Sequence, residues 1–209
     1  MRDLDSFRQI DLLRNIVRRY GIFEMNITPI FPLPIGRVYN FITPKERLHL
    51  LKHIKSIPHF PNGAIEGDGS STFDNPPNLL DRNIKDRLQL AVDEFTDMYG
   101  NIPTKIVNIW SNIQNAGSRL KEHVHPDSII SGALYINVDQ SCKLYVHNPN
   151  PYIEFSTKSK DTPYNYDNVS IDVENGELIL FPSWLRHGNL SVINEMDERI
   201  VVSFNSYTK

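Results

Sequence analysis

Three histidines and one arginine in the second half of the chain have the residue types and the spacing of a metal site. His123 and His125 are two residues apart, and His187 follows a later apolar segment. Side chains two residues apart point to the same face of an extended strand, so the first two imidazoles can face one centre. Arg199 follows, and its planar fork of donors can bind a carboxylate at two points. This pattern predicts a metal site that also holds an acidic co-substrate.

The ligand set leaves two alternatives open. In one, the three histidines bind the metal. In the other, His125 and Asp127 form a His-x-Asp pair, provided that the chain stays extended past Pro126. Either set consists of imidazoles with at most one carboxylate, which suits Fe(II) with open coordination positions. The closed cysteine-rich set of structural zinc is absent from the sequence. The residues therefore predict a metal-dependent oxygenase.

Arg199 begins an alternating segment. In a strand over 199–207, Arg199 and Ser203 lie on one face, so both side chains would point into the same polar pocket. A buried arginine without an anion is costly, which favours an acidic ligand there. The other interpretation is an arginine on an edge strand that pairs with Glu195 or Glu198.

Period-two alternation predicts the strands that position these residues. Along residues 105–114, apolar side chains alternate with Asn108, Trp110, Asn112 and Gln114. This second face either lines a polar cavity or is exposed with Trp110 as a cover. Trp184 is a further candidate for the cavity lining. Further strands are predicted at 131–137, 143–147, 169–173, 177–181 and 199–207.

Helices are predicted in the first half of the chain. Thr43, Pro44 and Glu46 are the N-cap, the first-turn proline and the capping-box acid of a helix that runs to about Ser56. A second helix is predicted at about 79–99.

The segments around these helices are less regular. Residues 3–19 have helical apolar spacing and predict a peripheral helix. Prolines interrupt residues 26–41, which predicts an edge strand or an extended lead-in. Residues 58–78 are rich in Pro, Gly, Asp and Ser and are predicted to be a loop.

The composition excludes several classes of function. A net charge of −3 and a pI near 6.2 give no broad basic surface for nucleic acid. The single cysteine, Cys142, rules out an internal disulfide and suits a reducing compartment. No apolar run approaches the ~20 residues that span a bilayer, and the first residues lack the apolar stretch of a signal peptide. We expect a cytoplasmic protein.

Several separate motifs occur in an order that resembles a known family. They are His123-Val124-His125-Pro126, Ser131-Gly132, Tyr135, Phe181-Pro182-Ser183 ahead of His187, Glu198-Arg199-Ile200 and Ser203-Phe204-Asn205. Together they resemble the 2-oxoglutarate and Fe(II)-dependent oxygenases, and among these a small group from bacteria and phages. The resemblance covers about residues 103–207. Most of that superfamily uses His-x-Asp, whereas the smaller group carries His-x-His. The resemblance therefore favours His123, His125 and His187, with Asp127 as the alternative ligand.

The resemblance implies a double-stranded β-helix, which is a jelly roll. The expected fold class is mainly β with helices (α+β), with a jelly-roll core and an N-terminal helical layer. We expect one domain over residues 1–209. Within it we expect a helical appendage at 1–24, a helical layer with lead-in strands at 25–102, and the core at 103–209.

The resemblance also implies Fe(II) as cofactor and 2-oxoglutarate as co-substrate. Arg199 would bind the distal carboxylate of 2-oxoglutarate, with Ser203 and Tyr135 as hydroxyl donors. The implied enzyme is a dioxygenase that takes dioxygen and an unknown substrate, hydroxylates that substrate, and releases succinate and CO2. Two other functions stay open, a cupin-like metal-dependent enzyme that does not use 2-oxoglutarate and a non-catalytic jelly-roll binding module. A homodimer is expected by analogy with other jelly rolls alone.

Overall fold

The computed structural model describes residues 31–155, 157–188 and 190–208. The helices in these residues are α1 (Pro44–Ser56) and α2 (Arg82–Tyr99), and a 3-10 helix covers Pro151–Phe155. The strands are β1 (Gly36–Val38), β2 (Ile65–Glu66), β3 (Gly69–Ser71), β4 (Thr104–Gln114), β5 (Arg119–Leu120), β6 (Ile130–Asn137), β7 (Lys143–His147), β8 (Asn168–Asp172), β9 (Leu178–Pro182) and β10 (Arg199–Thr208).

The main sheet has six strands in the order β1-β9-β6-β10-β4-β3, and all its pairs are antiparallel. Two further pairs, β7 with β8 and β2 with β5, form separate two-stranded sheets. Apolar side chains of β7 and β8 pack against the inner face of the main sheet in one buried cluster. The two layers form the predicted jelly roll, with the long strand β10 next to the middle of the main sheet.

Alternation along β6 and β10 gives the main sheet two different faces. Leu134, Val202 and Phe204 are buried on the outer face, in the cluster that contains the apolar side of both helices. Tyr135 and Val201 belong to the second cluster, between the two layers. Because successive side chains of a strand point to opposite faces, one strand supplies both the helix-packing core and the interior of the jelly roll.

Side chains at the helix ends fix where the helices begin and end. The Thr43 backbone N–H donates to Oε2 of Glu46 at 2.8 Å, and the Glu46 backbone N–H donates to the Thr43 hydroxyl, which completes the predicted capping box. The Asp81 carboxylate accepts from the Ile84 backbone N–H at 2.9 Å and caps α2. Gly100 ends α2 in the left-handed region, with φ of 76°.

Gly132 lets β6 lie tightly beneath a core aromatic. A Cβ at this position would lie 2.3 Å from Cζ of Phe204 and 2.9 Å from Cδ2 of Leu180. Phe204 is fully buried, so the ring has little room to move. The Ser-Gly motif of the sequence therefore contains a glycine that packing requires.

Several sequence predictions differ in detail from the structure. Helix α2 begins at Arg82 rather than near residue 79, because Asp81 is the cap. The predicted loop at 58–78 contains the short strands β2 and β3. His123 does not lie in a regular strand but forms an isolated bridge with His187.

Other predictions about the first part of the chain have mixed outcomes. Strand β1 is at the edge of the main sheet, as predicted for the proline-interrupted segment. The predicted helix at 3–19 and the appendage at 1–24 lie outside the described residues. No helix among the residues that the structure describes has the length and apolar character to cross a membrane.

Candidate metal centre

The structure brings the three predicted histidines together. One side-chain nitrogen from each of His123, His125 and His187 lies within 4.8 Å of the others. The backbones of His123 and His187 hold each other directly, since each N–H donates to the other's carbonyl at 2.9 and 3.0 Å. The His125 N–H donates to the carbonyl of Ser183 at 3.0 Å. The paired element is thus held against the segment that follows β9.

A glycine beside His187 permits this close approach. Gly188 has a φ of 94°, and a Cβ there would lie 2.4 Å from the carbonyl oxygen of Lys121. Any side chain would therefore push the two segments apart and separate His123 from His187. The backbone of this region therefore helps to hold the histidine cluster together.

Backbone carbonyls orient two of the rings. Nδ1 of His123 lies 2.8 Å from the carbonyl oxygen of Lys121, and Nδ1 of His187 lies 2.9 Å from that of Leu185. A carbonyl oxygen only accepts, so each Nδ1 carries the proton and each Nε2 keeps its lone pair. This is the usual arrangement of histidine ligands, in which an outer partner fixes the tautomer.

All three rings are held in the neutral form. Burial lowers the pKa of His187 to about 3, with a further contribution from the nearby His123. Burial and the same neighbour lower the pKa of His125 to about 4. Burial also lowers the pKa of His123. Neutral imidazole is the form that binds metal, so protons do not compete for these nitrogens near neutral pH.

Asp127, the alternative ligand, is not a member of the cluster. Its backbone has a φ of 65°, in a turn that directly follows Pro126. The chain therefore does not stay extended past the proline, and the alternation that would align Asp127 with His125 breaks. The metal-capable group among the described residues consists of the three histidines.

The three histidines lie at the wall of a cavity of about 290 Å³ in the jelly roll. Its lining contains most of the predicted site residues and several apolar side chains. The predicted residues that line it are Trp110, Asn112, Tyr135, Arg199 and Ser203, in addition to the three histidines.

Arg199 carries a positive charge at this cavity, and no described residue offers it a carboxylate partner. Its Nη1 donates to Oε1 of Gln114 at 2.5 Å, and a neutral amide does not offset the charge. Glu198 pairs instead with Lys55 at 2.6 Å. No ion pair in the described part of the chain contains Arg199, so the alternative pairing with Glu198 or Glu195 is not observed there. An acidic ligand in the cavity would have a cation to bind.

Two hydroxyl groups lie on the same wall. Tyr135 is buried, and burial raises the pKa of its phenol while the charge of Arg199 opposes the rise. Its hydroxyl makes no hydrogen bond to any other described residue, although buried tyrosine hydroxyls normally find a partner. Ser203 accepts from Nδ2 of Asn112 at 3.3 Å and keeps its own proton for another acceptor. Both hydroxyls can donate to a ligand.

Two other predicted cavity residues lie elsewhere. Asn108 does not line the cavity, and its Nδ2 donates to the Tyr207 hydroxyl at 3.4 Å, toward the far end of β10. Trp184 lies in the turn after β9, where it is half exposed and outside the lining. Trp110 is buried at the cavity wall, with its ring 5.8 Å from that of His125 and 5.0 Å from that of Phe73.

The structure places Gln114 in the cavity lining, on the face predicted from the alternation of β4. The sequence predictions gave no role to Asn205, which contacts His125 from behind. The signal for Asn205 was the period of two, since it continues the face of Arg199 and Ser203.

A family model covers the site. Residues 108–205 match the family described as "Putative 2OG-Fe(II) oxygenase", and the matched segment contains all three histidines and Arg199. This segment belongs to the 2OG-Fe(II) oxygenases. Enzymes of this family use Fe(II) and 2-oxoglutarate, and this agrees with the cavity that joins three neutral imidazoles to an arginine. A search of curated proteins found no match to this oxygenase.

Solved structures agree in fold. An oxidoreductase of the 2OG-Fe(II) oxygenase family from Burkholderia pseudomallei is 15% identical, covers 83% of this chain and 85% of its own, and has a TM-score of 0.56. HygX from Streptomyces hygroscopicus, with nickel, 2-oxoglutarate and hygromycin B bound, is 10% identical over 85% of this chain and 83% of its own, with a TM-score of 0.57. A Pseudomonas putida prolyl-4-hydroxylase is 15% identical over 85% and 94%, with a TM-score of 0.58. At such identities the likeness establishes the jelly-roll fold of this oxygenase.

Proposed function

We propose that His123, His125 and His187 hold the Fe(II) of this oxygenase, and that Arg199 binds its 2-oxoglutarate. The observation that carries the proposal is one cavity that joins three converging neutral imidazoles to an arginine without an acidic partner. Neutral nitrogen ligands suit Fe(II), and three of them leave coordination positions open.

The residues of the cavity wall fit a dicarboxylate. The guanidinium of Arg199 presents two parallel donors to one carboxylate group. The hydroxyls of Tyr135 and Ser203 can donate to the same group or its neighbour. A dianion offsets the charge of Arg199 and of the metal, which three neutral ligands leave at its full value. Burial of these groups becomes favourable when the anion is present.

The residues of the protein position the bound groups, and the bound groups carry out the reaction. Fe(II) with 2-oxoglutarate supplies oxidative chemistry, in which dioxygen is consumed, 2-oxoglutarate is converted to succinate and CO2, and we propose that the substrate is hydroxylated. The three histidines fix the metal at the cavity wall, and Arg199 fixes the orientation of 2-oxoglutarate. Trp110 and Phe73 pack edge to face beside His125 and limit the access of water from that side.

We propose that the substrate enters along Trp110 and Asn112. Trp110 gives an apolar surface and Asn112 a polar group at the same cavity, so a substrate with both characters fits. The cytoplasmic location and the homodimer stay predictions.

One observation favours a second function. Three neutral histidines without a carboxylate are also the ligand set expected of a cupin-like enzyme that does not use 2-oxoglutarate. The two functions differ at Arg199, because only the 2-oxoglutarate-dependent enzyme needs this arginine to bind its co-substrate. The family match to 2OG-Fe(II) oxygenases supports the first function.

The test is the Fe(II)-dependent conversion of 2-oxoglutarate to succinate in air without a substrate, with ascorbate added to supply the two electrons that a substrate would otherwise give. Wild type and Arg199→Ala are compared, with Arg186→Ala as the control, since Arg186 lies in the segment after β9 and its side chain is largely exposed. We expect slow succinate formation by wild type and the control, and a loss of about tenfold or more in kcat/KM for 2-oxoglutarate in Arg199→Ala. Equal rates in all three proteins would contradict the role of Arg199.

A further inference from the structure

We propose that Asn205 is a positioning residue for the metal site. Its carboxamide holds the ring of His125 so that Nε2 faces the cavity, and Ser131 and Ser183 hold the carboxamide in turn. The inference rests on the proposed metal role of His125 and adds to it the group that decides which nitrogen of this ring is free.

Asn205 lies behind His125 in a buried chain of polar groups. Its Nδ2 lies 3.4 Å from Nδ1 of His125, and its Oδ1 accepts from the hydroxyl of Ser131 at 2.8 Å. Oγ of Ser131 also lies 2.7 Å from Oγ of Ser183. Asn205 is 4% exposed, Ser131 1% and Ser183 0%, so solvent does not compete for these groups.

The register of the main sheet brings these residues together. Strand β6 lies between β9 and β10, and Ser131 is paired with Phe181 on one side and with Asn205 on the other. The carbonyl of Ser183 accepts from the backbone N–H of His125 at 3.0 Å. The network therefore contacts His125 through both its backbone and its ring.

His125 differs from the other two ligands in the partner of its Nδ1. His123 and His187 face backbone carbonyls, which only accept and so fix the proton on Nδ1. His125 faces a carboxamide, which has a donor end and an acceptor end. The orientation of Asn205 therefore decides which nitrogen of His125 carries the proton.

A half turn of the carboxamide about the Cβ–Cγ bond exchanges its two ends. In the turned form Oδ1 accepts from Nδ1–H of His125, and the lone pair of Nε2 is free for the metal. The neutral ring holds one proton in either form, since the proton lost from Nε2 is replaced by one gained at Nδ1 through solvent. We assign the turned form to the metal-bound protein.

The two serines make this turn inexpensive. In the turned form Nδ2 of Asn205 donates to Oγ of Ser131, which donates its own proton to Oγ of Ser183. A hydroxyl group both donates and accepts and rotates freely about its C–O bond, so Ser131 can satisfy either orientation. No group of the carboxamide is then left buried without a partner, which would be costly.

Metal affinity tests the inference. Calorimetric titration of the metal-free full chain with Co(II) compares wild type, Asn205→Leu and Asn205→Asp. Leucine keeps the volume without a hydrogen bond, and we expect affinity about 10- to 100-fold weaker. Aspartate only accepts, so it can take both Nδ1–H of His125 and the hydroxyl of Ser131, and we expect affinity within about threefold of wild type or tighter.

Ser206→Ala is the matched control for a structural effect. Ser206 is the next residue of β10, is also buried, and bonds to the backbone of Ile130 rather than to a histidine. We expect its Co(II) affinity to equal that of wild type even if its Tm falls. Asn205→Ala replaces the leucine variant if the larger side chain prevents folding.

Proton NMR of the Co(II) form reports the ring orientation directly. Ligation through Nε2 by three histidines gives three exchangeable, paramagnetically shifted N–H signals. We expect three signals in wild type and Asn205→Asp, and in Asn205→Leu two, since the third proton loses its acceptor and exchanges with water.

Any of three results would overturn the inference and leave the proposed metal site intact. Asn205→Leu could bind Co(II) as tightly as wild type, or retain all three N–H signals. Asn205→Asp could bind as weakly as Asn205→Leu, which would mean that the site needs the amide for packing. Wild type that binds no Co(II) would instead overturn the proposed metal site, and this inference with it.

Discussion

The guanidinium of Arg199 donates from Nη1 to the side-chain oxygen of Gln114 at 2.5 Å, across the pair formed by β10 and β4. The two residues are direct register partners at the cavity wall. Gln114 holds the guanidinium in place without neutralising it, so the positive charge stays available for a ligand.

Gln114→Glu should weaken binding of 2-oxoglutarate. The new carboxylate would pair with Arg199 and compete with the ligand carboxylate for the same donors. We expect a Kd for 2-oxoglutarate on the order of tenfold higher, which corresponds to about 1.4 kcal/mol. Calorimetry on the Co(II)-loaded protein measures it, with Gln114→Ala as the control for the loss of the amide. An unchanged Kd in Gln114→Glu would contradict the role of Arg199.

Asp127→Asn should leave metal binding unchanged, whereas His123→Ala should nearly abolish it. Asp127 lies in a turn outside the cluster, and asparagine tolerates its positive φ as well as aspartate does. We expect the Co(II) Kd of Asp127→Asn to be within about twofold of wild type, and that of His123→Ala to rise by about 100-fold or more. The reverse order of effects would make Asp127 the ligand.

The metal-free protein should lose stability as the pH falls from 6.5 toward 4. Burial depresses the pKa of His125 to about 4 and of His187 to about 3, below the 6.5 of an unfolded histidine. In this window the unfolded chain binds protons that the folded chain does not, so protonation favours unfolding; above pH 6.5 the contribution is fully present. Measurements of Tm against pH test this.

His125→Gln provides the comparison for that pH dependence. Carboxylates with a lowered pKa, such as Glu46 and Asp139, also weaken the fold in acid, but they are present in both proteins. The difference in slope therefore reports His125 and its smaller effect on the pKa of His187. We expect a shallower fall of Tm in His125→Gln between pH 6.5 and 4. Parallel curves would show that the pKa of His125 is not lowered in the folded state.

Gly132→Ala should destabilise the fold through Phe204. The added Cβ would lie 2.3 Å from the buried ring, which must shift within a packed core. Overpacking of this kind costs about 1–3 kcal/mol. Denaturant unfolding measures the loss, and Phe204→Leu in the same chain should restore part of it. If Gly132→Ala and Phe204→Leu instead lower the free energy of unfolding additively, the added Cβ does not clash with the ring of Phe204.

Local rules of sequence predicted much of the fold. The capping box at Thr43 and Glu46, the glycine that ends α2, and the period of two along β4 and β10 each depend on neighbours in the chain. The same alternation placed Arg199 on the cavity side of its strand, as the structure has it.

The parts of the site that the sequence did not predict depend on contacts between segments that are distant in the chain. The partner of Arg199 is 85 residues away in sequence, and Asn205 meets His125 across 80 residues. Alternation indicates which face these side chains occupy but not what lies opposite, which the strand order decides. The register of Asp127 stayed open because the sequence alone did not show whether the chain stays extended after Pro126.

Anaerobic titration of the metal-free protein with Fe(II), with and without 2-oxoglutarate, tests the central claim most directly. The observable is the weak visible charge-transfer band of the ternary complex, in wild type, Arg199→Ala and Arg186→Ala. We predict a band that needs both Fe(II) and 2-oxoglutarate, persists in Arg186→Ala, and requires much more 2-oxoglutarate in Arg199→Ala. Fe(II) binding without any 2-oxoglutarate-dependent band in wild type would contradict the account.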